Sequence, residues 1–96
     1  MTDTAPTLTR NPDGSRYEAR LDGEIVAFAD YRETPDGIEF PHTVVDQRMN
    51  GRGIGSDLVR FALDDVRARE LGPVIPRCWF VAGWIERHPE YADLLA

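Results

Sequence analysis

Residues 44–56 read VVDQRMNGRGIGS, and this stretch decides how the rest of the chain is interpreted. Two valines end an apolar strand, three glycines follow within five residues, and an amphipathic helix is predicted from the last glycine onward. Glycine lets the backbone turn sharply and approach a ligand without a Cβ atom in the way. The start of a helix offers unpaired N–H groups and a partial positive charge. The segment therefore predicts a phosphate or pyrophosphate site at a strand-to-helix junction.

The chain ahead of this segment alternates apolar and polar residues, as half-buried β-strands do. Strands are predicted at residues 16–21, 24–32 and 38–45, and β character begins at residue 8. The turn signals that separate these strands are Asn11-Pro12-Asp13-Gly14, Asp22-Gly23 and Pro35-Asp36-Gly37. The first half is therefore predicted to be an antiparallel meander. Residues 1–6 are expected to be frayed.

The chain after the loop changes to a helical period. The apolar stripe between residues 53 and 71 consists of Ile54, Leu58, Val59, Phe61, Ala62, Leu63 and Val66. Gly72-Pro73 is predicted to end this helix, and a short strand, a shorter helix and a last turn follow.

A right-handed crossover would place the long helix across the sheet, with the last strand parallel to the third. The predicted fold class is α+β. An antiparallel meander leads into a strand–helix–strand crossover that forms a mixed twisted sheet, with a short C-terminal helix, in one domain over residues 1–96.

The composition is that of a soluble globular protein, with 42% hydrophobic and 29% charged residues in a chain of 96. No apolar run approaches bilayer length, and the N-terminus lacks the pattern of a signal peptide. One cysteine fits a reducing compartment, and a net charge of -6 argues against nucleic acid as a partner. These features predict a cytoplasmic monomer or weak homodimer with no membrane partner. The charge is compatible with a cationic small molecule or a basic peptide.

Two common phosphate-binding patterns do not fit the glycine segment. A P-loop needs a lysine after its last glycine, and all 11 basic residues of this chain are arginines. A dinucleotide fingerprint needs G-x-G-x-x-G within a βαβ unit. Here Gly51-Arg52-Gly53 is followed by Gly55 and Ser56, and the strands before the loop are predicted to be antiparallel.

The pattern that does fit is R/Q-x-x-G-x-G/A, which Arg48-Met49-Asn50-Gly51-Arg52-Gly53 satisfies. It resembles the acyl-CoA signature of the GNAT superfamily of N-acetyltransferases. The residues His42-Thr43, Cys78-Trp79-Phe80-Val81, Trp84-Ile85 and His88-Pro89-Glu90-Tyr91 resemble the minimal, single-domain branch of that superfamily. The resemblance covers residues 8–95. It implies transfer of an acetyl group from acetyl-CoA to an amine-bearing small molecule or peptide.

The resemblance also implies a set of cofactor-binding residues. Loop amides from Met49 to Gly55 would hold the pyrophosphate, and the backbone at Val44 and Val45 would pair with the pantetheine. Arg48 and Arg52 would either direct charge toward phosphates or be solvated loop residues. The full predicted set is Val44, Val45, Arg48, Met49, Asn50, Gly51, Arg52, Gly53, Ile54, Gly55 and Ser56, and no metal is predicted. The thioester would lie where the third and last strands splay apart.

The candidate catalytic residues are Cys78 and His42. Cys78 would accept the acetyl group, lie beside the thioester sulfur, or be a small buried core residue. His42 would act as a general base, or be a structural histidine after Pro41. His88 is predicted to be structural, and Tyr91 is a core residue with proton donation as the alternative. The other C-terminal aromatic residues, Trp79, Phe80 and Trp84, are predicted to lie in the core.

Two departures from the resemblance bear on mechanism. In relatives a glutamate commonly follows the His-Thr pair, whereas this chain has Val44 there and its nearest carboxylate is Asp46. The chain also has no room for the helical pair that walls the acceptor site in larger members. Three functions stay open: an N-acetyltransferase, a non-catalytic CoA-binding module acting as sensor or partner, and an interaction domain whose glycine loop is only a tight turn.

Overall fold

The computed structural model describes residues 5–96. Its strands are β1 (Thr7–Asn11), β2 (Arg16–Leu21), β3 (Glu24–Asp30), β4 (Arg32–Thr34), β5 (Gly37–Glu39), β6 (Thr43–Val45) and β7 (Val74–Ile75). Its helices are α1 (Ile54–Arg69) and α2 (Trp79–Arg87), with short 3-10 helices at Gln47–Met49 and Pro89–Leu94. Of the predicted frayed end, residues 1–4 lie outside the described residues, and Ala5 and Pro6 have no regular secondary structure.

The strands form two sheets. The first is antiparallel with strand order β1-β2-β3-β6, and the second has the order β4-β5-β7, in which β5 and β7 run parallel. The predicted meander, crossover and parallel last strand are confirmed, and so is the α+β fold class.

The prediction of unbroken second and third strands is wrong, because each of them divides between the two sheets. The break that matters lies at Phe40-Pro41-His42, between β5 and β6. Proline has no N–H to donate and restricts the residue before it, so a ladder cannot run through this point unchanged. The chain therefore leaves β7 after β5 and pairs with β3 through β6.

The end of α1 differs from the prediction. Glu70, not Gly72, takes the left-handed conformation, with φ of 56°. The N–H groups of Glu70 and Leu71 donate to the carbonyls of Arg67 and Val66, at 3.2 and 3.0 Å. These bonds satisfy carbonyls that the helix end would leave unpaired, and Leu71 packs on the core beside them. This arrangement offsets the cost of the left-handed backbone at a residue other than glycine.

The core lies between α1 and the four-stranded sheet, so the predicted apolar stripe is confirmed. The buried residues of α1 are Ile54, Gly55, Leu58, Val59, Ala62, Leu63 and Val66. They face Tyr17, Ala19, Ala27 and Ala29, which are at most 2% exposed. Neither α1 nor α2, the α-helices of the described chain, has the length and apolar content that a membrane span requires.

The C-terminal aromatic residues divide into two groups. Trp84 and Tyr91 are 0% and 7% exposed, as predicted for core residues. Trp79 is 83% exposed, so its assignment to the core is wrong. It is the first residue of α2, and the helix buries the opposite side through Val81, Trp84 and Ile85.

Candidate functional site

A cleft opens where the pairing between the two sheets ends. The N–H of Phe40 donates to the Ile75 carbonyl at 3.1 Å, and the N–H of Cys78 donates to the Phe40 carbonyl at 2.9 Å. Beyond these bonds β6 pairs with β3, while Cys78 begins α2. One edge of β6 therefore faces the start of α2 without a strand beside it, which is the predicted splay.

The register of β6 determines which backbone groups reach this cleft. The N–H of Asp30 donates to the His42 carbonyl, and the N–H of Asp46 donates to the Val26 carbonyl, both at 2.9 Å. Bonding alternates along an antiparallel strand, so the backbone of Val44 also points to β3.

The backbone groups of Thr43 and Val45 consequently point to the open edge. Val45 belongs to the predicted pantetheine-pairing set and Thr43 does not, whereas the backbone of Val44, also in that set, points to β3. The sequence shows that a strand is present, but which of its residues bond to the partner strand depends on the register between the two strands.

Some of the loop amides that were predicted to bind a phosphate already donate to carbonyls within the loop. The amides of Met49, Asn50 and Arg52 donate to carbonyls three residues earlier, at 2.8, 3.1 and 3.3 Å. The first helical bond of α1 runs from Asp57 N–H to the Gly53 carbonyl at 3.0 Å, so the preceding amides remain unpaired. In the part of the chain that the structure describes, the loop amides with no backbone acceptor are those of Gly51, Gly53, Ile54, Gly55 and Ser56.

The three loop glycines serve two purposes. Gly51 and Gly53 have φ of 81° and 76°, and a Cβ atom on either would meet nothing within 4 Å. The space above them is thus open to a ligand. A Cβ atom on Gly55 would lie 3.1 Å from both Phe80 Cζ and Val45 Cγ2. Gly55 therefore lets the start of α1 pack closely against β6 and α2.

The two loop arginines differ in how their charges are used. Arg48 forms a bidentate pair with Asp46 (Nη2–Oδ2 2.7 Å, Nε–Oδ1 3.1 Å), and Glu24 lies 3.7 Å away. Hydrogen bonds from the Arg48 side chain and backbone lower the pKa of Asp46 to about 2. Arg52 has no ion-pair partner among residues 5–96; its Nη1 lies 3.5 Å from Met49 Sδ. Arg52 is thus the loop arginine whose charge is available.

The side chain of Ser56 takes part in the fold. Its Oγ accepts a hydrogen bond of 2.8 Å from the indole N–H of Trp84. This bond ties the first turn of α1 to α2, so only the backbone N–H of Ser56 is free to meet a ligand.

Cys78 is 9% exposed and caps the start of α2. Its Sγ lies 3.7 Å from Thr43 Oγ1, which places the thiol against β6 at the mouth of the cleft. Burial, the largest single effect, raises the pKa of this thiol. Hydrogen bonds with the backbone of Val81 and Phe80 and with Thr43 outweigh burial, so the pKa of Cys78 lies below its ordinary value.

His42 lies on the other face of β6. Its side chain is 72% exposed, and its Nδ1 lies 3.7 Å from the Asp30 carboxylate. Neighbouring residues of a strand point to opposite faces, so His42 and Thr43 face apart. The two predicted catalytic residues, His42 and Cys78, thus lie on different sides of β6. Asp30 is absent from the predicted set, because its pairing with His42 depends on register.

The remaining candidates of the C-terminal segment have structural contacts. The His88 ring stacks on Trp84 with centroids 3.8 Å apart, and its Nδ1 lies 2.7 Å from the Trp84 carbonyl. Tyr91 donates its hydroxyl proton to Asp64 at 2.7 Å, and this bond raises the pKa of Tyr91. These contacts agree with the structural role predicted for His88. The hydroxyl proton of Tyr91 is held in its hydrogen bond to Asp64 of α1.

The cleft suits an elongated ligand with a phosphate at one end. A phosphate can meet the free amides of the loop and Arg52, and amide groups can pair with the edge of β6. A low-pKa thiol and an exposed histidine lie at the far end of β6. No group of three or more His, Cys, Asp or Glu side chains within residues 5–96 could hold a metal ion.

Comparison with known proteins agrees with this geometry. The sequence model of a family described as GCN5-related N-acetyl-transferase matches residues 16–94. The matched span runs from the start of β2 to the end of the last 3-10 helix, so it contains β6, the glycine loop, α1 and Cys78. No curated protein matches the sequence.

Proposed function

The chain belongs to the GCN5-related N-acetyltransferase family, and we propose that it transfers the acetyl group of acetyl-CoA to an amine. The family assignment made from the loop and C-terminal motifs is confirmed. The observation that carries the proposal is the cleft, in which a free strand edge runs from the glycine loop to Cys78. The single buried core favours one domain across the matched span.

The cofactor would lie along the cleft with its pyrophosphate at the loop. The free N–H groups of Gly51, Gly53, Ile54, Gly55 and Ser56 are the donors, and the helix start adds a favourable partial charge. Arg52 would add a full charge, whereas Arg48 acts indirectly by fixing the conformation of the loop through Asp46.

The pantetheine arm would continue from the loop along β6. The free backbone groups of Thr43 and Val45 would pair with its amides as a neighbouring strand does. The acetyl thioester would then lie beside Cys78, at the point where β6 and α2 separate.

The acceptor amine must lose a proton while its nitrogen bonds to the acetyl carbon and the C–S bond breaks. His42 is the base in this proposal, because an imidazole accepts protons near neutral pH and Val44 stands where relatives carry glutamate. Asp30, at 3.7 Å, would stabilise the imidazolium that forms. The CoA thiolate leaves as the nitrogen bonds to the acetyl group.

Cys78 admits two roles in this scheme. Its lowered pKa favours a thiolate, which can accept an acetyl group and pass it on. Alternatively, transfer is direct and the thiol only lines the path of the thioester sulfur. An acetyl adduct of 42 Da on the intact protein, located at Cys78, would identify the first role.

The proposal is tested by calorimetric titration with acetyl-CoA and then with CoA, followed by mass spectrometry of amine products. Saturable one-to-one binding and an acetylated amine are the expected results. Binding without any product across a broad amine panel would instead indicate a non-catalytic CoA-binding module. Absence of binding to both ligands would reject the proposal.

A further inference from the structure

The face of the four-stranded sheet opposite α1, here called the outer face, carries features that the cofactor site does not use. Phe28 pairs with Val44 across β3 and β6, and the ladder continues through the bond from Asp30 N–H to the His42 carbonyl. Alternate residues of a strand share a face, so these four side chains lie together on the outer face. An apolar pair thus lies next to the proposed base and its carboxylate.

A shallow cavity of about 190 Å³ lies at this apolar pair. Its lining residues are Ile25, Val26, Ala27, Phe28, Val44 and Asp46. Val44 is 47% exposed and is one of three exposed large apolar side chains in residues 5–96. Engineered protein cavities of roughly 150 Å³ with apolar walls bind benzene. The cavity is therefore large enough for one aromatic ring or a branched alkyl group of similar size.

Charged groups border this cavity. On one side the Arg16 guanidinium lies 4.7 Å from the centre of the Phe28 ring. At the end of the cavity near the glycine loop, the carboxylates of Asp46 and Glu24 both lie beside Arg48. Two negative charges and one positive charge leave this part of the rim with a net negative charge. Beyond the opposite end of the cavity, on the same face, Asp30 lies beside His42. Carboxylates at both ends favour the approach of a cation, while the wall between them is apolar.

The spacing fits a short linker between an amine and an apolar group. His42 and Val44 are two residues apart, a distance of roughly 7 Å along a strand. A two-carbon linker together with an aromatic ring has a comparable length, so an amine of this kind could place its nitrogen at His42 and its ring in the cavity.

We propose that this cavity binds the apolar body of the acceptor, and that the acceptor is a primary amine joined through a short linker to an aromatic or branched alkyl group. This inference rests on the proposed acetyltransferase function. Val44 is then a specificity-determining residue: the position that is acidic in relatives is here part of an apolar wall.

The first test maps binding directly. Protein saturated with CoA is titrated with 2-phenylethylamine, and backbone amide shifts are followed by NMR. Shifts concentrated at Ile25, Phe28 and Val44 are expected, with no comparable shifts from ethylamine at equal concentration. Shifts located elsewhere, or none, would overturn the inference. The titration is repeated without CoA, so it reports on the cavity even if CoA does not bind.

The second test measures specificity. We expect kcat/KM for 2-phenylethylamine to exceed that for ethylamine by at least about tenfold, as is typical when a hydrophobic pocket is filled. Val44→Glu should reduce this ratio toward one and favour 1,4-diaminobutane. The control Leu95→Glu introduces the same charge at an exposed apolar residue outside both sites and should leave the ratio unchanged.

The two proposals fail in different ways. Acetylation of small amines or polyamines without preference for an apolar body would overturn the acceptor assignment and leave acetyl transfer established. Absence of acetyl-CoA binding and of all turnover would reject the proposed acetyltransferase function. The NMR titration without CoA would then show independently whether the cavity binds the amine.

Discussion

The open edge and the outer face of β6 offer different chemistry to a ligand. The cleft side presents backbone: the open edge at Thr43 and Val45, the loop amides and a helix start. The outer face presents side chains: His42 with Asp30, and Val44 with Phe28. Under the two proposals, the cofactor would be recognised through groups that every residue carries, whereas the acceptor would be recognised through groups that substitution can change. Variants on the two faces should therefore separate turnover from cofactor affinity.

The largest effect is expected on the outer face, from His42→Ala. Loss of a general base typically costs a factor of 10² to 10⁴, so kcat should fall at least about 100-fold. The dissociation constant for CoA should stay within roughly twofold, because the cleft side is untouched. Steady-state kinetics and calorimetry measure the two quantities. A kcat close to the wild-type value would remove His42 from the mechanism.

Asp30→Asn is the variant to compare with His42→Ala. It keeps the side-chain size beside His42 and removes only the charge, so its loss in kcat should be smaller than that of His42→Ala. Equal losses for both variants would show that His42 works only as a charged pair.

On the cleft side, Gly51→Val should abolish most of the CoA affinity. In the left-handed conformation of Gly51, a residue other than glycine is less stable by roughly 1–2 kcal/mol. The new side chain would also occupy the open space above the loop. Together these effects predict a loss of roughly 30-fold or more in affinity, with the domain still folded.

Gly23→Val is the matched control, since Gly23 also has positive φ, of 82°, and no neighbour within 4 Å of its Cβ position. It should lower the melting temperature similarly while leaving CoA affinity intact. Loss of affinity in both variants would show that strain alone, not the location of Gly51, explains the effect.

The sequence predicts the features that depend on local pattern. The glycine segment, the α1 stripe and the Asp22-Gly23 turn are each encoded within a few residues, and the structure confirms them. Several features of the site that remained unpredicted depend on partners distant in sequence. The register between β6 and β3 determines that the backbone of Thr43, and not that of Val44, points to the open edge. The pairing of Asp30 with His42 follows from the same register.

The loop shows a different limit within the candidate site, because there the partners are only two or three residues apart. A helical turn at Gln47–Met49 consumes amides that the pattern alone would assign to a phosphate. The ion pair of Arg48 with Asp46 likewise leaves Arg52 as the free charge, although both arginines belong to the same motif.

That difference between the arginines predicts a smaller effect on the cleft side. Arg52→Ala should weaken CoA binding about fivefold at low salt, since an exposed charge interaction is worth up to about 1 kcal/mol. The loss should shrink as salt rises and screens the charge. Arg48→Ala should show little salt dependence, because its charge is already compensated by Asp46. Equal salt dependence in both variants would contradict this distinction.

The smallest expected effect concerns Cys78, which touches the cleft side through Thr43. Because the pKa of Cys78 lies below its ordinary value, its alkylation by iodoacetamide should reach half-maximal rate at lower pH than in the urea-unfolded chain. Thr43→Val removes the hydroxyl 3.7 Å from the sulfur and should move this midpoint upward, toward the unfolded value.

The amides of Val81 and Phe80 remain in that variant, so the upward shift should be partial. Cys78→Ala should leave CoA affinity largely intact, because the proposed binding groups on the cleft side are backbone groups. An alkylation midpoint that Thr43→Val does not move would place the thiol away from β6, and the thioester would then have to lie elsewhere in the cleft.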